Sequence, residues 1–286
     1  MFTVFWAGFG SISTATGRGA RRHGRWRPAG LWKSGLAKRD LSAYNDQKIG
    51  WPSNGISDTP TPSKSVMTKS TTLNRYSPAE ELANSITHAV GIVLAIAGLA
   101  VRTGFAITYG NAWHIVSASI FGATMILLYT ASTLYHSVQA PRGKALLRVF
   151  DHCAIFLLIA GTYTPFTLIS LRGPWGWSLF GTVWALALFG IVFELSPLRR
   201  HRVVSHALYI GMGWAVIAAT KPLLTHIAPG GLVLMVAGGL AYTLGIGFYA
   251  LRKMRFNHAV WHIFVLVGTT LHFFAVLFYV IPVAGA

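Results

Sequence analysis

Seven apolar stretches, each near the length needed to cross a bilayer, follow one another through the last two thirds of this chain. They run roughly over 83–107, 112–135, 148–170, 175–194, 204–220, 230–251 and 259–282. A spanning helix needs about 20 mostly apolar residues. Segments such as "GTVWALALFGIVF" lack the polar face of a soluble core helix. Backbone groups in hydrocarbon must pair within their own segment, so such stretches fold as helices. The connections are short and carry Pro or Gly ("VQAPRGK", "LRGPWG", "HIAPGG"), which suits antiparallel neighbours. The expected fold class is an all-α integral membrane protein, a bundle of seven transmembrane helices.

Charge orients that bundle. The chain holds 24 Lys+Arg against 7 Asp+Glu, and only 11% of its residues are charged, whereas soluble domains carry about 25%. A strongly basic chain invites a nucleic-acid reading. Placement argues against it: the charges sit in an N-terminal tail and in short loops. Arg142, Lys144 and Arg148 fall in the 2–3 connection, Arg199, Arg200 and Arg202 in the 4–5, and Arg252, Lys253 and Arg255 in the 6–7. The other side has Arg172 and Lys221, with Arg102 near the end of the first stretch. The positive-inside rule then puts the N-terminus in the cytoplasm and the C-terminus outside. Trp113, Trp175 and Trp177 suit the outer interfacial belt. The single cysteine, Cys153, excludes an intramolecular disulfide framework and reads as a packed core residue.

Residues 1–75 differ from the rest. They hold 12 of the basic residues and are rich in Gly, Ser, Thr and Pro, a composition expected to stay disordered. The first 39 residues contain no acid, as in organellar transit peptides, whereas a secretory signal fits poorly. Met67, opening "MTKSTTLNRYSPAEE", offers an alternative start. The expected division is a basic extension over 1–75 and a membrane domain over 76–286.

The ionisable residues converge on one depth. On the predicted topology Glu81, Asn84 and His88 open the first helix, Ser132 and His136 close the second, Asp151 opens the third, and His258 and His262 open the seventh. All fall in the cytoplasmic half. His258 and His262, like Ser132 and His136, are i and i+4 and share a helix face. Two imidazoles from one helix and a third from another make a three-histidine set, the layout of catalytic zinc with an open position. Imidazole also suits iron, copper or nickel. Asp151 could hold and deprotonate a water there. Each element has a plainer reading: a hydrogen-bonded histidine pair, or an acid stabilised by a helix N-terminus. Glu81 is expected to be interfacial, just before the first helix, and Glu80 to cap it or be solvated. Glu194 is expected to pair with Arg199 and Arg200 at the interface. His114, His201 and His226 need no function, and His152 and His206 lack a patterned partner. His272 lies ten residues beyond His262, about 15 Å along the helix, too far to share a metal. Pro165 is expected to kink the third helix, with Thr162 and Thr164 supporting the freed carbonyls. Intramembrane ionisable residues are costly, which favours a functional reading of the set.

"EELANSITH", the run ending in Ser132-x-x-x-His136, "FDHCAIFLLIAGTYTP" from Asp151 and "NHAVWH" together resemble the hemolysin III family. That family is the bacterial branch of the progestin and adipoQ receptor superfamily. The match covers about residues 76–282, and the basic extension has no counterpart in it. The resemblance implies seven helices, a cytoplasmic N-terminus and a bacterial plasma membrane location. It also implies a Zn2+ site of His136, His258 and His262, with Asp151 near the metal-bound water and Ser132 close by. Relatedness to alkaline ceramidases implies hydrolysis of lipid amides, with membrane lipids as the partners. The family name carries a haemolytic, pore-forming activity, and members are linked to membrane-fluidity homeostasis. A sensor of membrane state holding structural zinc is a third reading.

Overall fold

The computed structural model describes residues 76–251 and 253–281. The predicted extension, 1–75, lies outside the described residues. Among the described residues every regular element is helical: α1 (Pro78–Tyr109), α2 (Ala112–Ser137), α3 (Pro141–Pro165), α4 (Pro174–Leu195), α5 (Arg202–Gly213), α6 (Thr220–His226), α7 (Pro229–Ala250) and α8 (Asn257–Tyr279). Among the described residues, seven spans are long and apolar enough to cross a membrane. Residues 202–226 form one of them across a break. The chain is a seven-helix membrane bundle, as expected.

The predicted boundaries shift where polar residues start a helix early. Ser77 caps α1, its hydroxyl accepting the Glu80 N–H while the Glu80 carboxylate accepts from the Ser77 N–H. This capping box starts the helix at Pro78, five residues before the apolar run. Glu81 therefore lies within α1 and is buried, not interfacial before it. α3 starts at Pro141, so Lys144 and Arg148 are helical rather than in a loop, and Asp151 sits ten residues inside the helix.

The fifth span is not one helix. α5 ends at Gly213, a 3-10 turn covers Ala215–Ala219, and α6 follows. Such a break strands backbone groups, which membrane proteins tolerate only where other groups satisfy them. Tyr163 of α3 does so twice: its hydroxyl donates to the Gly213 carbonyl (2.9 Å) and accepts from the Val216 N–H (3.0 Å). Pro165 likewise removes a donor from α3, and a π-helical turn over Phe166–Ser170 follows it. The hydroxyls of Thr162, Thr164 and Thr167 donate to the carbonyls of Leu158, Ala160 and Tyr163.

α2 packs along α1 and α3, α3 along α4, and α8 along α1 and α7, while α5 rests on α3 and α4. Glycines set the close seams. A Cβ on Gly161 would lie 2.1 Å from Thr124 Oγ1, and one on Gly190 2.2 Å from Phe156. α7 and α8 interlock reciprocally: His272 enters a notch at Gly238, and Tyr242 one at Gly268. Arg102, near the end of the first predicted span, is fully buried. Its guanidinium lies over the Phe121 ring at 4.2 Å and the Phe273 ring at 5.2 Å. At the same end Trp113 and Trp177 meet edge to face, with Arg172 over Trp113.

Candidate metal centre and adjoining cavity

α2 and α8 deliver three imidazoles to one point. His136, His258 and His262 each offer a ring nitrogen, and these atoms all lie within 4.8 Å of one another. His136 and His262 are buried. His136 Nε2 and His258 Nε2 stand 3.1 Å apart.

The outward nitrogens are held. His136 Nδ1 donates to Glu81 Oε2 at 2.6 Å. His262 Nδ1 donates to the Asn84 backbone carbonyl at 3.0 Å, with Thr87 Oγ1 at 3.1 Å. A proton on Nδ1 leaves the Nε2 lone pair free, and second-shell partners of this kind fix the tautomer of metal-ligating histidines. Three neutral imidazole nitrogens suit zinc or a neighbouring transition metal. The donor set fits a metal ion; its identity is a separate question.

Glu81 is itself paired. Lys144 Nζ lies 2.9 Å from Glu81 Oε1 and donates to the Tyr135 carbonyl at 3.2 Å. Lys144 thus neutralises a buried carboxylate and satisfies one of the last carbonyls of α2, close to His136. Sequence reasoning missed this role, because Lys144 was counted as one loop charge among nine. Its signal was present: it sits three residues after a helix-starting proline.

Local backbone places His258. Glu80 Oε1 accepts the Phe256 N–H at 3.1 Å, tying the start of α1 to the start of α8. Phe256 has φ 57°, the left-handed region that bulky residues avoid. Tyr76 then stacks on the His258 ring with centroids 5.0 Å apart.

The remaining predicted residues gather around this centre. His88 stacks on His262, centroids 3.6 Å apart and rings 11° from parallel. Asp151 and Ser132 are both buried, and the Ser132 hydroxyl has no hydrogen-bond partner among the described residues. Glu194 departs from expectation: it is buried, accepts from the Ser205 hydroxyl, and lies 3.6 Å from His152 Nδ1. Arg199 and Arg200 are not its partners. His152 thereby has a partner that spacing alone did not reveal. His206 Nδ1 meets the Arg202 carbonyl within its own helix.

A cavity of about 340 Å³ adjoins the histidines. Asp151, His88, His258 and His262 line its polar end, and His272 and Leu223 lie toward the other. Its walls are otherwise mostly apolar. Its walls include α5 and α7, which do not pack along one another and so leave a gap between them. Exposed Ile217 and Val236 flank that gap, and the Trp214 indole N–H bridges it to Thr243 Oγ1 at 3.1 Å. Its size falls in the range of small-molecule sites.

A model of the family described as Haemolysin-III related matches residues 76–273. Hemolysin-3 of Bacillus cereus is 47% identical over 206 residues, covering 72% of this chain and 94% of that protein. The Hemolysin-3 homolog of Bacillus subtilis (strain 168) is 48% identical over 204 residues, 71% of this chain and 96% of the relative. Monocyte to macrophage differentiation factor of Homo sapiens is 30% identical over 213 residues, 71% of this chain and 86% of that protein. Seven apolar spans make the chain a multi-pass integral membrane protein, and the Bacillus relatives support a bacterial plasma membrane as its location. By the extent of these matches, the chain belongs to the Haemolysin-III related family.

Proposed function

We propose that the chain is a zinc-dependent hydrolase of lipid amides whose site opens in the cytoplasmic half of the membrane. One observation carries the reading: three imidazoles gather at one point, and two of them, His258 and His262, line the polar end of a mostly apolar cavity. Acyl chains enter between α5 and α7, and the amide carbonyl comes to rest beside His136, His258 and His262. A bound zinc ion there would supply Lewis acidity toward the carbonyl and toward water. Asp151 takes a proton from the attacking water as its oxygen bonds the carbonyl carbon. It then returns that proton to the nitrogen as the carbon–nitrogen bond breaks, giving a carboxylic acid and an amine. Ser132, buried with an unpaired hydroxyl, is available to the Asp151 carboxyl, and Glu81 and the Asn84 carbonyl keep two imidazoles in register.

The test is hydrolysis of a ceramide by the purified protein in lipid nanodiscs. Asp151→Asn should lower the rate about a hundred- to ten-thousandfold while zinc content stays constant. A rate untouched by this substitution removes Asp151 from the proposed role. A wild type that binds zinc yet cleaves nothing leaves a membrane-state sensor as the better reading. The names of the Bacillus relatives favour a second activity, membrane permeabilisation. Dye-loaded liposomes should leak at low protein-to-lipid ratio if it is intrinsic, and sealed vesicles dispose of it.

A further inference from the structure

His272 drops out of the metal set on distance, yet it lines the same cavity. Its Nε2–H donates to the Met235 carbonyl at 3.2 Å. That fixes the tautomer and leaves Nδ1 as an acceptor. Nδ1 has no hydrogen-bond partner among the described residues. Tyr242, stacked against it with centroids 5.6 Å apart, also lines the cavity, and its hydroxyl is buried and equally without a hydrogen-bond partner. Buried polar groups are nearly always paired, so two orphans on one cavity wall call for an occupant. The pair is also held rigidly. Met235, Gly238 and Tyr242 share one face of α7, and a Cβ on Gly238 would lie 2.8 Å from His272 Cε1. The neighbouring Tyr129 hydroxyl is different, being satisfied by Thr269 Oγ1.

We infer that His272 and Tyr242 form a second polar subsite, which receives a hydroxyl group partway along an acyl chain whose carbonyl lies at the histidine cluster. The chemistry is specific to a hydroxyl. His272 Nδ1 accepts one hydrogen bond, and the Tyr242 O–H donates one. A hydroxyl group supplies the matching donor and acceptor, which a ketone or a plain methylene does not. The spacing is set by α8: ten residues from His262 to His272 give about 15 Å, which only a long chain spans. The ligand class is therefore a hydroxylated fatty acyl lipid. The inference rests on the reading that an acyl chain occupies the cavity. A water could occupy the subsite instead, since it needs only a few polar partners.

The experiment measures binding of stearic acid and of its mid-chain hydroxylated analogues to the zinc-loaded protein in nanodiscs, by displacement of a fluorescent fatty acid. The wild type should favour one hydroxylated positional isomer by about tenfold, the worth of one to two net hydrogen bonds. Tyr242→Phe, which keeps the ring, and His272→Phe should each cut that preference to about twofold or less and leave stearic acid binding unchanged. Equal binding of all chains by the wild type overturns the subsite and assigns the position to water. A preference that survives both substitutions overturns the residue assignment. If no chain binds at all, the acyl-chain reading of the cavity fails first, and the subsite with it.

Discussion

At the residue scale, three buried groups decide whether the imidazoles can hold a metal. His136 is oriented by Glu81, and Glu81 is neutralised by Lys144. Glu81→Gln keeps the shape but replaces a charge-assisted acceptor with a neutral one. Zinc affinity should fall about ten- to a hundredfold, measured by competition with a chromophoric chelator. Lys144→Met should act on stability instead. It strands a buried carboxylate, at a cost of about 3–5 kcal/mol, seen as a lower unfolding midpoint in detergent. Adding Glu81→Gln to that variant should recover part of the loss, because the two residues share one interaction. Full additivity of the two changes would show that the pair is not coupled. His262→Ala removes one ligand of three and should abolish stoichiometric zinc, read by elemental analysis.

At the scale of elements, the bundle tolerates breaks where a side chain meets the stranded backbone. Tyr163 serves both sides of the break between α5 and the following 3-10 turn. Tyr163→Phe keeps the ring and leaves a carbonyl and an amide unpaired. The expected cost is about 1–3 kcal/mol for each group left unsatisfied, with hydrogen exchange rising first around Gly213 to Val216. A variant as stable and as protected as the wild type would show that these groups find other partners. The glycine seams make the opposite demand. Gly190→Ala drives a methyl into Phe156, and such overpacking costs about 1–3 kcal/mol. The break and the seams differ in consequence: α3 and α4 pack tightly, while α5 and α7 do not pack along one another and both line the cavity.

At the scale of the whole molecule, the basic connections and the histidine centre lie at the same end of the bundle. The charge asymmetry predicts that this end faces the cytoplasm. The native Cys153 is buried, so introduced cysteines can report topology. A cysteine at Arg142 or Arg199 should resist a membrane-impermeant thiol reagent in intact cells and react after lysis. A cysteine at Gly110 or Pro229 should react in both. The reverse pattern would invert the topology and place the metal centre toward the outside. Zinc should also stabilise the bundle as a whole, because α2 and α8 share the ligand set. At about a hundredfold excess over Kd the gain is about 2.7 kcal/mol, read as a midpoint that falls on chelation.

The sequence by itself determined the number of spans, their approximate limits and the end at which the ionisable residues meet. Each follows from transfer free energy and periodicity, which are local along the chain. Helix direction and depth also set His88, His136, His258, His262 and Asp151 at one level, and the family resemblance singled out His136, His258 and His262 as the ligand set. What the sequence could not determine were partnerships across the bundle. Lys144 reads as a loop charge, Glu194 as an interfacial acid and Arg102 as an outer-side charge near the end of the first span. Each is buried against groups far from it in sequence or in side-chain reach. The break in the fifth span, its rescue by Tyr163 and the cavity reaching from the histidine centre to His272 also belong to the tertiary structure. The physical reason is the same throughout: hydropathy reports what a segment prefers as solvent, whereas a buried polar group is decided by the one partner that three-dimensional packing brings within hydrogen-bonding distance.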